Sequence, residues 1–360
     1  MKILIVGLNK IKYMPYLNFY LDALKDQQQE IHVCYWDRDG KDEDLSSYKN
    51  IQFHRFVYAQ TNGVNKLKKI KPFSKFKRFV KKINKETKFD LIIALHSLTA
   101  ILIYGVLRKK NYILDYRDST FEKNAFFRRK IKKIVLKSRL TFTSSEGFKK
   151  YLPKSEKIYN SHNLLLDSLE HRDFKKTESD KIRLSFWGYI RHVELNKVII
   201  DKIKSDDRFE LHYYGREQES AIELKKYSKS LEANNVFFHG EYNPSDRYEF
   251  IKNTDLIHNI YCDSNTMLAM GNKFYDGIIF RIPQLCYTDS TMGKQCSKYG
   301  VGLECNPNDE NFLNKIYDYY KTLSVKEFNN ECDIALDYVL KEYNDGIKRI
   351  RDLLHSLDAL

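Results

Sequence analysis

A glycine, a polar Asn-Lys pair and a carboxylate one turn later open the run Gly271-Asn272-Lys273-Phe274-Tyr275-Asp276, which continues through Gly277 to Arg281-Ile282-Pro283. The order reads as a loop entering an apolar-periodic helix. Free backbone N–H groups and the helix dipole make such a point an anion site, and Lys273 adds a full positive charge. Asp276 lies about one turn past Asn272 on the same face, where a carboxylate can accept both hydroxyls of a ribose. The plainer alternative makes Asn272 a helix N-cap and leaves Lys273 and Asp276 as solvated charges. Two further points could carry chemistry. His96 ends the apolar run Asp90-Leu91-Ile92-Ile93-Ala94-Leu95, and Arg117-Asp118 end the run Leu114-Asp115-Tyr116. A histidine in that place also serves as a cap or core residue, and Arg117 and Asp118 could simply pair with each other.

These residues need strand ends and helix starts to hold them. The first half alternates strand-like runs (Ile3–Val6, Ile31–Tyr35, Ile51–Val57, Leu91–Leu95, Tyr112–Leu114, Leu140–Thr143) with helical stretches such as Tyr16–Lys25 and Leu98–Lys109. Residues 166–180 are polar and break the pattern, as an interdomain linker does. The alternation then restarts with Ile182–Trp187 ending at Gly188, Phe209–Tyr214 ending at Gly215, and Val236–His239 ending at Gly240. Leu256–Tyr261 and Pro283–Tyr287 follow, with helices over Val193–Lys204 and Glu217–Glu232 and a wholly helical stretch over Asp309–Leu357. The expected fold class is α/β, with two successive Rossmann-like domains whose parallel sheets face a central cleft. Residues 1–165 would form the N-terminal acceptor domain and 181–340 the donor domain, with a last helix over 341–360 packing back on the N-terminal domain.

Bulk properties narrow the field. At 360 residues, 42% hydrophobic and 31% charged, the chain has globular composition and is long enough for two cores. No apolar run approaches the roughly 20 residues that span a bilayer. Six cysteines without paired metal-ligand spacing suit a reducing cytoplasm and argue against zinc. The Asp-x-Asp spacings of Asp37–Asp44 lack the full calcium-loop pattern. The first turn, Gly7-Leu8-Asn9-Lys10, lacks the dinucleotide fingerprint, and no P-loop is present. A net charge of +14 asks for an anionic partner.

The stretch 271–283 resembles the donor-site motif of the retaining GT-B glycosyltransferases, particularly the capsular- and exopolysaccharide-assembly members. In that family two glutamates separated by seven residues flank the nucleotide sugar, and a Gly-x-Pro follows the second. Asp276 falls on the second, which binds ribose. Leu268 stands where the first would be, and Asn272-Lys273-Phe274 matches a variant seen in polysaccharide-type relatives. Trp187-Gly188-Tyr189-Ile190-Arg191 resembles the opening of the donor domain, where the arginine contacts the diphosphate. The usual lysine partner is not at its place: Lys197 lies one residue too far along, and Lys273 substitutes. Tyr213-Tyr214-Gly215 and Phe238-His239-Gly240 resemble the next strand ends, and Leu95-His96-Ser97 resembles the strand whose histidine faces the donor sugar. Arg117-Asp118, Thr143–Phe148 and Ser161-His162-Asn163 resemble later loops of the first domain.

The resemblance implies a cytoplasmic enzyme that moves a sugar from a nucleotide diphosphate to a lipid-linked glycan acceptor in cell-surface polysaccharide synthesis, with retention of configuration. Gly188, Arg191, Asn272 and Lys273 would bind the donor diphosphate and Asp276 the ribose, with His96 and Asp118 as catalytic candidates. It implies no cofactor and no metal. Two basic stretches, Lys66–Lys88 and Phe126–Ile134, carry aromatics at helical spacing and suit the anionic inner face of the cell membrane; alternatively, their apolar stripes pack inward and the lysines are merely solvated. A nucleotide-sugar 2-epimerase, an inverting transferase with His96 or Asp118 as base, and a nucleic-acid binder are the alternatives. No RNA-binding or helix-turn-helix motif supports the last.

Overall fold

Uninterrupted apolar runs such as Ile3-Leu4-Ile5-Val6 and Leu91-Ile92-Ile93-Ala94-Leu95 suit strands covered on both faces, and all nine residues are fully buried. A computed structural model of the chain describes residues 1–25, 28–59, 66–171 and 180–359. Two compact units result, one of Met1–Asn163 with Lys341–Leu360, the other of Leu164–Leu340.

In the first unit the described strands are β1 (Lys2–Val6), β2 (Glu30–Asp37), β3 (Ile51–Val57), β4 (Leu91–Leu95), β5 (Asn111–Tyr116), β6 (Leu140–Thr143) and β7 (Ile158–Asn160). They form one sheet in the order β3-β2-β1-β4-β5-β6-β7, parallel at every pairing. The connecting helices are α1 (Leu17–Leu24), α2 (Lys66–Thr87), α3 (Ser97–Leu102), α4 (Tyr104–Leu107) and α5 (Ala125–Lys137). The second unit repeats the plan with β8 (Ile182–Trp187), β9 (Phe209–Tyr214), β10 (Val236–Gly240), β11 (Leu256–Asn259), β12 (Gln284–Tyr287) and β13 (Gly302–Cys305), again all parallel, in the order β10-β9-β8-β11-β12-β13. Its helices are α6 (Val193–Ile203), α7 (Glu219–Ser230), α8 (Arg247–Ile251), α9 (Asn272–Ile279), α10 (Thr291–Tyr299), α11 (Phe312–Thr322) and α12 (Val325–Asp358), whose last residues belong to the first unit. Both sheets are Rossmann-like, so the strand order reverses beside β1 and β4 in one and beside β8 and β11 in the other. Ligands of such sheets bind at the carboxyl ends of those strands.

Several elements depart from the sequence expectation. Leu166–His171, read as linker, is a turn of 3₁₀ helix belonging to the second unit; residues 172–179 lie outside the described residues. The single helix expected over Leu98–Lys109 is two short ones that meet at Ile103. The stretch Asp309–Leu357 is broken at Leu323-Ser324, where Ser324 Oγ accepts the Glu327 N–H at 3.4 Å and starts a new helix. The apolar stripe of α2 is core: Phe76 stacks on Trp36 with centroids 5.6 Å apart, Phe73 meets the same indole edge-on, and Val80 and Ile83 are buried. The acidic loop after β2 is neutralised from within. Lys10 bridges Asp37 and Asp39, and Arg55 bridges Asp37 and Asp42. Five cysteines are buried, Cys262 is exposed, and all six are free thiols.

Candidate active site

In the second unit the chain leaves β8 at Gly188, whose φ of 109° favours glycine, and turns through Tyr189-Ile190-Arg191-His192 into α6. Asn196, in the first turn of that helix, holds this loop. Its Nδ2 donates to the carbonyls of Arg191 (2.8 Å) and His192 (3.1 Å), and its Oδ1 accepts from Tyr213 Oη (2.7 Å) and His258 Nε2 (2.9 Å). Every donor and acceptor of the buried amide is used, so the loop backbone is fixed to β9 and β11 at once. Burial pushes the His258 imidazole down to about 3, with Lys273 and His192 adding to the fall. It is therefore neutral and donates through Nε2. Arg191 is exposed, with its guanidinium 5.2 Å from the Tyr189 ring centroid.

The chain enters α9 at the same end of this sheet. Gly271 is the N-cap, so Asn272 is not the cap but the first helical residue, and it is exposed. Lys273 is half-buried. Its Nζ stands 4.3 Å from the Phe186 ring centroid and 5.3 Å from that of Tyr261, and the two faces partly replace its lost water. Burial still wins. Against the pull of Asp276, and with Arg191 repelling, the ammonium is pushed down to about 7. Asp276 is buried as well. Its Oδ2 accepts the Trp187 indole N–H at 2.9 Å, and Arg247 Nη1 lies 3.4 Å from Oδ1. Burial pushes its carboxyl up, opposed by Arg247, Trp187 and Lys273. Both oxygens thus already serve this unit, and a ribose would have to use their remaining lone pairs. Lys197 is held by Glu194 (3.0 Å) and Glu223 (2.7 Å). His192 lies 3.4 Å from Asp263, where burial lowers its imidazole and the carboxylate opposes the fall.

In the first unit His96 follows β4 with φ 83° and ψ 144°, a backbone region nearly closed to any residue but glycine. Its Nδ1 accepts the Leu98 N–H at 3.1 Å, which assigns the proton of the neutral ring to Nε2. Burial holds that imidazole low, opposed by Asp118 first and then by Asp115 and Glu122. Asp118 is exposed at the end of β5. Arg117 does not pair with it. The guanidinium is buried, donates through Nε to Asp115 at 2.9 Å and through Nη2 to Ser161 at 3.3 Å, and covers the Tyr16 ring at 4.3 Å. Strain of this kind costs about 1–3 kcal/mol. Substituting His96 by glycine or by alanine removes the same cap, but only glycine also relieves the backbone. H96G is therefore expected to exceed H96A in stability by about 1 kcal/mol or more, read as the difference in urea midpoints. Equal midpoints would show that the strain is absent.

The structure thus brings Gly188, Arg191, Asn272, Lys273 and Asp276 to one end of the second sheet, and His96 and Asp118 to the matching end of the first. Sequence reasoning missed Arg247, Asn196, His192 and His258. Arg247 sits in a five-residue helix without any motif, and nothing in the order of residues around Asn196 marks it as the clamp of the Arg191 loop. Among the described residues no group of three or more His, Cys, Asp or Glu could hold a metal ion.

No protein-family model matches the chain, and no curated protein matches it. Solved structures do. Sucrose-phosphate synthase from Thermosynechococcus elongatus superposes with a TM-score of 0.77 at 12% identity, over 100% of this chain and 99% of that one. HepE from Anabaena, solved in complex with UDP and glucose, gives 0.70 at 15% identity over 100% of both chains. A glycosyltransferase from Rickettsia africae gives 0.70 at 13% identity, over 99% and 98%. At these identities the likeness concerns the fold, which is the GT-B pairing of two Rossmann-like units.

Proposed function

We propose that the chain is a glycosyltransferase that takes a sugar from a uridine diphosphate donor. The observation that carries this reading is the gathering of Arg191, which follows β8, with Lys273 and the buried Asp276 near the start of α9, at the carboxyl ends of β8 and β11. Two cations beside a helix start match the charge of a diphosphate, the group on which negative charge develops as the sugar leaves. This division of labour calls for no metal ion. HepE is bound to UDP and glucose, and an E. coli trehalose-6-phosphate structure to UDP-2-fluoro glucose; the chemistry here suits a donor of that class. Asp276 would take the ribose hydroxyls, with Gly188 and Asn272 offering backbone and amide groups to the phosphates.

The proposed reaction retains configuration. His96 keeps its proton on Nε2 because Nδ1 is occupied, so it offers a hydrogen bond to a sugar hydroxyl and is poorly set to be a base. Attack on the face the diphosphate leaves, with a phosphate oxygen taking the acceptor proton, requires no protein base, and Asp118 would orient the acceptor hydroxyl. The acceptor would be a lipid-linked glycan of cell-surface polysaccharide synthesis, met by a peripheral enzyme at the anionic cytoplasmic membrane face. No helix of the described residues is long and apolar enough to cross a membrane.

Calorimetry tests the donor site. UDP should bind and raise the melting temperature, and R191A should weaken UDP by roughly tenfold or more while leaving uridine nearly unchanged. Equal weakening of both, or binding of duplex DNA in preference to UDP, would sink the reading. Turnover of a nucleotide sugar with no acceptor present would point instead to an epimerase.

A further inference from the structure

The sequence offers two basic, aromatic-bearing helices, and the structure separates them. In α2 the aromatic residues Phe73, Phe76 and Phe79 are spent on Trp36 and Phe56, while Lys71, Lys75, Lys77, Arg78, Lys81, Lys82 and Lys85 face water beside Glu86. The other helix, α5, is different. Ile131, Ile134 and Val135 fill the core, yet Phe126 is 75% exposed, Leu136 59%, and Phe121, just ahead of the helix, 48%. Phe121 also meets Phe127 edge-on with centroids 5.6 Å apart, which makes a small aromatic knob at the helix start.

Helical spacing places Phe126, Arg129, Lys133 and Leu136 in one stripe on the solvent side, flanked by the exposed Lys132 and Lys137. The helix contains no acidic residue. The knob is also fixed in place. Asn124 Oδ1 accepts the N–H groups of Phe126 and Phe127 at 2.9 and 3.1 Å, and Arg128 folds back on the carbonyls of Glu122 and Lys123. Holding a large phenyl ring in water gives the unit no packing energy. An apolar tip ringed by cations matches a surface that is apolar below and anionic above.

We infer that α5 is the membrane-docking element: Phe121 and Phe126 enter the acyl boundary of an anionic phospholipid bilayer while Arg129, Lys132, Lys133 and Lys137 meet its phosphates. This rests on the reading that the enzyme works at a membrane and names the contact. The lysines of α2 contribute long-range attraction, since its three aromatic rings are packed against Trp36 and Phe56.

The test uses the full chain and vesicles of equal parts phosphatidylcholine and phosphatidylglycerol. The protein should co-sediment with them, ignore pure phosphatidylcholine, and lose binding as salt rises. F121A/F126A should lower the partition coefficient by roughly tenfold or more, whereas K77E/K81E/K85E on α2 should leave a salt-sensitive remainder. Melting temperature with UDP checks that each variant is folded. In F126W the new indole should shift its emission to the blue and be quenched by brominated lipid. Binding with neither change, or unaltered binding by F121A/F126A, overturns the assignment to α5 and leaves the membrane reading standing. No binding to anionic vesicles by the unaltered chain overturns both, while the donor-site calorimetry stays independent of either.

Discussion

Affinity for UDP is expected to fall roughly fifty-fold between about pH 7 and about pH 9. Lys273 is the cause. Enclosed by Phe186 and Tyr261, with Arg191 beside it, its ammonium is held down to about 7 in the unliganded protein. About half the molecules then carry the charge at neutrality and about one in a hundred two pH units higher. A diphosphate binds the charged form and holds the proton there. The ligand's own second ionisation lies near pH 6 and is complete below this window. Stability of the free protein runs the other way. Above about pH 7 the unfolded chain keeps the lysine proton up to its ordinary 10.5 and the folded chain does not, so Lys273 makes the unliganded protein more stable as pH rises through that interval. Calorimetry in buffers of different ionisation enthalpy should show net proton uptake on binding. K273R should flatten the affinity profile, since its guanidinium stays charged throughout. A pH-independent affinity in the unaltered protein, or a persistent fall in K273R, would remove Lys273 from the diphosphate.

R117A should lose about 3–5 kcal/mol of stability in the first unit. Arg117 is the cation of the fully buried Asp115, 2.9 Å away, and it also covers Tyr16 and donates to Ser161. Removing it leaves a carboxylate in a site where burial already pushes its pKa up. Removing both charges is milder than removing one, because no uncompensated ion remains, so D115A/R117A should recover part of the loss. Hydrogen exchange of the β4 and β5 amides reports this unit apart from the other. A loss below about 1 kcal/mol, or a double variant worse than the single, would contradict the buried-pair account.

Both predictions depend on burial, which is the part of the site the order of residues does not record. Strand ends at Gly188 and Gly215, the cation at Arg191 and the helix start at Gly271 could all be read locally, since turn glycines and apolar runs announce themselves within a few residues. The environment of Lys273 could not. Its aromatic walls come from residues 186 and 261, and the arginine on Asp276 comes from residue 247. The core role of α2 was hidden in the same way, because Trp36 lies some forty residues before Phe76. β7 and β13 are three and four residues long and only partly buried, too short to show an alternation. The strain at His96 has no signature either, as histidine does not advertise a positive φ. The break at Ser324 is a different matter. Ser324-Val325-Lys326-Glu327 is a helix-start signal in plain view, masked by the helical periodicity on both sides.

The last twenty residues bear on how the chain is made. Lys341–Leu360 belongs to the first unit, although the whole second unit is synthesised in between. Tyr343 packs edge-on against Phe19 and donates its hydroxyl to Asp22, Arg351 covers the carbonyls of Asp22 and Ala23, and Ile350 and Leu354 are buried. The approach is close enough that a Cβ at Gly346 would stand 2.8 Å from the Phe19 ring. On the ribosome, domains generally fold in the order they emerge. Here that order is inverted: the unit made first lacks its closing helix until residues 341–360 have been made, while the unit made second is complete in one piece. The first unit must wait with its α1 face uncovered, and that interval is when a nascent chain is most open to chaperones and to misassembly.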